Sequence, residues 1–294
     1  MRMTIDTYKD RAGRLDTNGI DFAAFGERPL TPEALRCLEY MHDVELHTVC
    51  YLRDLLQSRA HREPDITSFL ACWVFEELWH GEAIARVLAA HGRPAGSARV
   101  APLRANRRRR EAWERLVHLV SATLVGEPFV AVHMAWGAVN EWSTQAGYAR
   151  LARRAQHPVL TELLRRIMRQ EGRHVDFYAA EAARRLQADR RARALTRLAL
   201  RRFWRPVGSG VMPDTEVAFL VRYLFGDPEG CVAAERVDRH VDRLPGLGGL
   251  RLIKGSVEGL ERSGSRRSNQ RTADSAGPVA GESLFLEPEQ RSCA

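Results

Sequence analysis

Apolar residues along this 294-residue chain recur at three- and four-residue intervals. That is the period of helices packed by one face, and nothing in the chain resembles alternating strands. Pro, Gly and Asp punctuate the runs. Thr31-Pro32-Glu33 reads as a helix start: a capping hydroxyl, Pro in the first turn and an early acid. The helix it opens runs to about residue 59. "HREPDI" breaks it, and Asp65 is placed to cap a second helix reaching His91-Gly92. "GRPAGSARVAPLRANRRRR" reads as a loop, with a third helix expected over 107–124. Gly126-Glu127-Pro128 opens a fourth, to about Ala155. Gln156-His157-Pro158 separates it from a fifth, to about Leu186. Further helices are expected at 190–204, 214–225 and 228–242, before "LPGLGGL" interrupts the pattern. The organisation expected is an N-terminal extension at 1–30 and an all-α domain at 31–261. That domain has a core at 31–187 and accessory helices at 188–245. A Ser/Gly/Arg/Pro-rich tail at 262–294 reads as disordered.

Polar residues inside the apolar helices carry the chemistry. "CWVFEELWHGEAIARVLAAHG" at 71–91 sets Glu76, Glu77 and His80 among large apolar side chains. Glu77 and His80, three apart, share a helix face. One ExxH is weak evidence, since Glu39 and His42 form another. A second strong candidate, Glu171 and His174, lies on the fifth helix, and two ExxH helices are half of a dinuclear carboxylate site. The other half needs one Glu from each of two further helices, and Glu45 and Glu141 are available. In an antiparallel hairpin, residues at one depth lie equally far from the turn. Glu45 and Glu77 centre on residue 61, inside the first break, and Glu141 and Glu171 centre on residue 156, at the second. Both hairpins therefore level their carboxylates. Four carboxylates can bridge and charge-balance two cations, and imidazoles suit iron better than magnesium or calcium. Glu76 points about a hundred degrees away from Glu77. It reads as a group that orients a ligand or faces solvent, and not as a ligand.

Glu45, "EELWHG" at 76–81, "EWST" with Glu141 and Thr144, and "EGRH" at 171–174 resemble the ferritin-like di-iron proteins. Among these the chain is most similar to the soluble acyl-[acyl-carrier-protein] desaturases, over about residues 31–187. The resemblance implies a ferritin-like four-helix bundle with a long crossover and additional C-terminal helices. It implies Glu45, Glu77, His80, Glu141, Glu171 and His174 as ligands to two Fe ions, O2 as co-substrate, and Thr144 beside the O2 pocket as an aid to proton delivery. It further implies acyl carrier protein and a ferredoxin-type electron donor as partners, and a homodimer. Gln170 departs from the pattern, because desaturases place an acid there to orient a ligand His. Two other readings are an N-oxygenase or hydroxylase of a small molecule, and a non-enzymatic ferritin-like iron-binding protein. Such N-oxygenases add a ligand His where this chain has Ile167. A desaturase calls for a long, narrow apolar cavity beside the metals; a small-molecule oxygenase calls for a shorter, wider pocket with polar anchors.

Charge and composition change this picture little. The net charge of +8 comes almost wholly from Arg. "RANRRRR" at 104–110 and the run from Arg184 to Arg205 could dock an acidic partner such as acyl carrier protein, or be a solvated face. No recognition motif accompanies them, so no nucleic-acid partner is expected. Five scattered cysteines without a CxxC argue against a disulfide scaffold and for reduced thiols in a cytoplasm. The most apolar stretch, 123–139, is short for a membrane span and holds Glu127, Pro128 and His133. The N-terminus lacks the apolar region of a signal peptide. Trp73, Trp79, Trp136 and Trp142 read as core, with channel lining as the sharper alternative. Phe129, Val132 and Met134 could line an acyl tunnel. His42, His47, His118 and His133 have no geometric claim to be ligands.

Overall fold

The computed structural model describes residues 4–56, 59–106, 126, 128–260 and 262. The described residues up to Val257 form one compact unit, and those from Glu258 belong to a second. Every regular element among the described residues is a helix, and strand-like pairing is limited to an isolated bridge between Ser209 and Met212. The long helices are α3 (Pro32–Leu56), α4 (Pro64–Ala90), α6 (Pro128–Ala155) and α7 (Pro158–Ala188). Helices α3 and α4 form one hairpin and α6 and α7 another. Contacts of α3 with α6 and of α4 with α7 join the two into a bundle. Short helices α1 (Ile5–Lys9) and α2 (Ala24–Glu27) pack on α4. Helices α5 (Ser97–Asn106), α8 (Arg190–Phe203), α9 (Asp214–Phe225) and α10 (Pro228–Asp242) flank the bundle, and a last helical stretch begins at 252.

The turns follow from local chemistry. Thr31 Oγ1 caps α3 by accepting from the Ala34 amide at 3.3 Å. Between α3 and α4 a 3-10 turn covers Arg59–Arg62. The α4 cap is Glu63 with Pro64 in the first position, so Asp65 lies inside the first turn and is not the cap. Pro64 explains the earlier start: its fixed φ suits the first helical residue and its missing N–H costs nothing there. Between α6 and α7, Gln156 takes a left-handed φ of 47°. His157 then caps α7, accepting from the Leu160 amide ahead of Pro158. Both breaks fall where the midpoints of the carboxylate pairs require.

The largest departure from expectation is α5. Residues 97–106, read as loop, are helix α5, with Pro102 inside it. Tertiary contacts hold it: Arg99 pairs with buried Asp43 at 2.8 Å and Arg104 donates to the Leu46 carbonyl on α3. The His42 of the weak Glu39–His42 motif belongs to the same joint. Its Nδ1 bonds Asp43 at 2.9 Å and its Nε2 accepts from the Gly96 amide. The helix expected at 107–124 and the tail expected beyond 262 lie outside the described residues, as does His118. Of the cysteines read as core, Cys37 is buried, while Cys50 and Cys72 are half-buried. No described helix is long and apolar enough to cross a membrane.

Helices α9 and α10 are tied to the bundle by a buried cation. Arg150 on α6, 4% exposed, donates to the Leu224 carbonyl at 2.9 Å, to Glu229 at 2.7 Å and to Asp227 at 2.6 Å. Charge-assisted bonds in a buried setting contribute more than neutral ones. Arg150→Met should lower stability by about 2–3 kcal/mol in a denaturant titration.

Candidate metal centre

At the middle of the bundle each long helix supplies a carboxylate to one buried cluster. Glu45 comes from α3, Glu77 and His80 from α4, Glu141 from α6, and Glu171 and His174 from α7; all six are buried. They form two groups, each with donor atoms close enough to hold a metal ion: Glu45, Glu77, His80 and Glu171, and Glu77, Glu141, Glu171 and His174. Glu77 and Glu171 belong to both. The oxygens divide between the groups in a regular way. His80 Nδ1 lies 3.3 Å from Glu77 Oε2 and 3.2 Å from Glu171 Oε1. His174 Nδ1 lies 3.2 Å from Glu77 Oε1 and 3.1 Å from Glu171 Oε2. Each shared carboxylate thus turns one oxygen to each half of the site. Glu45 and Glu141 terminate the two halves. No family model and no curated protein matches the chain. Its function is read from this site.

Close packing of the helices makes the cluster possible. Gly81 follows His80, and a Cβ there would stand 2.7 Å from the Leu46 side chain, so the glycine lets α4 approach α3 next to Glu45. On α6, Gly137 leaves room for the Tyr178 ring.

The outer atoms of these side chains are held as well. His174 Nε2 bonds Glu76 Oε2 at 3.0 Å, and His80 Nε2 bonds Gln170 Oε1 at 3.0 Å. Each residue that precedes an ExxH glutamate therefore orients the imidazole of the other motif. Glu76 also accepts from the Tyr8 hydroxyl at 2.7 Å, from the Gly13 amide at 3.2 Å and from Arg173. Trp73 Nε1 donates to Glu141 at 2.9 Å, and the Tyr148 hydroxyl donates to Glu45. The sequence pattern singles out none of Tyr8, Gly13, Tyr148 or Arg173 for this role. Only the sharing of a helix face, Tyr148 standing seven residues after Glu141, hints at one of them.

The metal-free cluster is held together by protons. Burial, then repulsion from Glu77, drives the Glu45 carboxyl well above the usual range; burial and Glu171 do the same to Glu141. Burial also disfavours charge on Glu77, but hydrogen bonds with Glu45, His174 and His80 outweigh it and leave Glu77 low. Burial disfavours an imidazolium at His80, yet Glu171 and Glu77 push it up to about 10. Cations would replace those protons, because buried carboxylates are stable only when neutralised. Glu171 Oε1 is buried and has no hydrogen bond of good geometry; it faces His80 Nδ1 at 3.2 Å. Four carboxylates with two imidazoles are a donor set for iron or manganese more than for calcium.

A cavity of about 900 Å³ reaches the cluster, touching Glu45, Glu77, Glu141 and Thr144. Trp73 and Trp136 line it, as do the polar side chains of Thr48, Asn140 and Ser209. Phe129, Val132 and Met134 are not among its lining. A second, apolar pocket of about 70 Å³ also touches Glu45 and Thr144 and is walled by Met41, Leu220 and Leu224. Thr144 and Glu45 line both. The large space is mixed in character, while the apolar character expected for an acyl chain is concentrated in the small one.

Proposed function

We propose that this chain is a ferritin-like di-iron oxidoreductase that uses O2 to oxidise an acyl chain presented on acyl carrier protein. The observation that supports this most is the sharing of Glu77 and Glu171 by two half-sites, one oxygen to each, with an imidazole and a terminal carboxylate completing each half. Bound iron would supply O2 activation and oxidising equivalents, and a ferredoxin-type donor would return the electrons. The protein residues provide the rest. Glu76 and Gln170 fix the imidazole planes. Trp73 and Tyr148 fix the terminal carboxylates. Thr144, on the wall common to both cavities, carries a hydroxyl where a proton can pass between Glu45 and the substrate space. The apolar pocket beyond Thr144 would seat the tail of the chain. Exposed Arg201, Arg202 and Arg205 at the end of α8, beside exposed Phe203, suit an acidic carrier; Phe203 and Arg205 also line the large cavity. As in the family it resembles, the chain would work as a homodimer.

The volume and mixed lining of the large cavity support a second reading, oxygenation of a small polar molecule. One experiment separates the two. The protein is loaded anaerobically with Fe(II), then exposed to O2 with a ferredoxin system and acyl carrier protein thioesters. A product short of two hydrogens supports the desaturase. A product that has gained oxygen, from the thioester or from a small-molecule panel, supports the oxygenase. Full iron loading with neither product rules out both. In the active reaction Thr144→Val should lower turnover on the order of a hundredfold with metal content retained.

A further inference from the structure

Resting on that metal-centre reading, we propose that the main chain at Gly13 sets the metal-binding tautomer of His80 by fixing the amide of Gln170. The two imidazoles are oriented by unlike groups. Glu76 is a carboxylate and can only accept, so it demands an N–H on His174 Nε2 whichever way it turns. Gln170 is an amide, with an oxygen at one corner and an NH2 at the other. Turned over, it would offer the NH2 to His80 Nε2. The ring proton would then move to Nδ1, the atom that faces Glu77 and Glu171, and Nδ1 would have no lone pair for a metal.

The Gly13 carbonyl removes that alternative. It accepts from Gln170 Nε2 at 3.1 Å, which leaves Oε1 toward His80 at 3.0 Å. A carbonyl cannot donate, so only one orientation of the amide satisfies both neighbours. The same glycine donates its N–H to Glu76 Oε1 at 3.2 Å, so one peptide residue touches the orienting groups of both halves. The segment is anchored on either side. Tyr8 is fully buried, its ring 5.0 Å from Phe69 and 6.0 Å from Phe177. Arg166 donates to the Asp16 and Asn18 carbonyls at 3.0 and 2.8 Å, and Arg14 lies over Trp79. Space around Gly13 is open, so it is the backbone there that acts and not the lack of a side chain. A stretch outside the four long helices is therefore a positioning element for the half-site of His80.

The test is rescue. Arg166→Ala in the full chain, which removes the bonds to the Asp16 and Asn18 carbonyls and touches neither orienting group, should release the segment and let Gln170 turn. Cobalt(II) titration should then show one half-site weakened roughly 10–100-fold, with the absorption of the other retained. Adding Gln170→Glu, which accepts in either orientation, should restore the weakened site. Should Arg166→Ala not fold, Arg14→Ala, which removes the contact over Trp79, takes its place. Wild-type affinity at both half-sites in the released variant, or no recovery with Gln170→Glu, overturns the proposal. A loss of packing alone would lower thermal stability in the single and double variants alike and would give no rescue. If the wild-type chain itself binds no pair of metals, the metal-centre reading fails instead.

Discussion

Alanine at both Glu77 and Glu171 should abolish binding of both metals, leaving no more than adventitious ion after desalting. Alanine at Glu45 or Glu141 alone should cost one. The asymmetry follows from geometry: Glu77 and Glu171 give an oxygen to each half, whereas Glu45 and Glu141 each serve a single half. Far-UV circular dichroism should keep its helical form in every variant, since the cluster is surrounded by a core that does not depend on it. That core includes Phe69, Leu70, Ile84, Leu163, Leu164 and Ile167, all fully buried, each contributing about 1.5–3 kcal/mol by burial. Thermal denaturation gives a second readout. Metal at about a hundredfold above its Kd should stabilise the wild-type chain by about 2.7 kcal/mol for each independent site, and the double variant by nothing. Two metals retained after both substitutions would rule out the bridged arrangement.

Metal affinity should climb steeply with pH through neutrality and level off near the top of the titration of His80. Without metal the His80 ring holds its extra proton until about pH 10, because Glu171 and Glu77 surround it. A metal needs the lone pair that this proton occupies. Each unit of pH below that value therefore costs about 1.4 kcal/mol for each proton displaced. His174 is raised as well: burial opposes its charge, but Tyr8, Glu141, Glu171 and Glu76 more than compensate. The carboxyls of Glu45 and Glu141, raised by burial, add to the protons released. The expected slope of log affinity against pH is thus steeper than one proton. Cobalt(II) titrations at several pH values, with an indicator dye following proton release, check it. A flat profile would mean that the cluster is not protonated in the way described. The metal-free protein should show the complementary trend. A histidine raised above its unfolded value near 6.5 stabilises the fold fully below that value. The contribution disappears as pH rises through about 10. Metal-loaded protein should lack this decline.

Much of the bundle is legible along the chain because helix period, proline and turn residues act locally. Pro32, Pro64, Pro128 and Pro158 each stand in the first position of a long helix, where a fixed φ and a missing N–H suit the backbone. The levelling of Glu45 with Glu77 and of Glu141 with Glu171 is equally a matter of counting from a turn. Residues 97–106 are the exception. Their Gly, Pro and Arg content argues for a loop, and contacts with Asp43 and Leu46, more than fifty positions earlier, make them helical.

Residue type and spacing by themselves determined that this chain is helical and that two of its ExxH motifs and two further glutamates could meet at one depth. They also marked Glu76 as lying off the ligand face. Tertiary structure alone decided which carboxylates are shared, because that depends on how α4 and α7 face each other across the bundle. It alone decided that Glu76 serves His174 while Gln170 serves His80, a crossing between motifs 94 positions apart in a 294-residue sequence. And it alone brought Tyr8 and Gly13 to the site. Helical period reports which face of a helix a residue occupies. It carries no information about which distant backbone carbonyl will stand beside that face, and the orientation of an amide is settled by that neighbour.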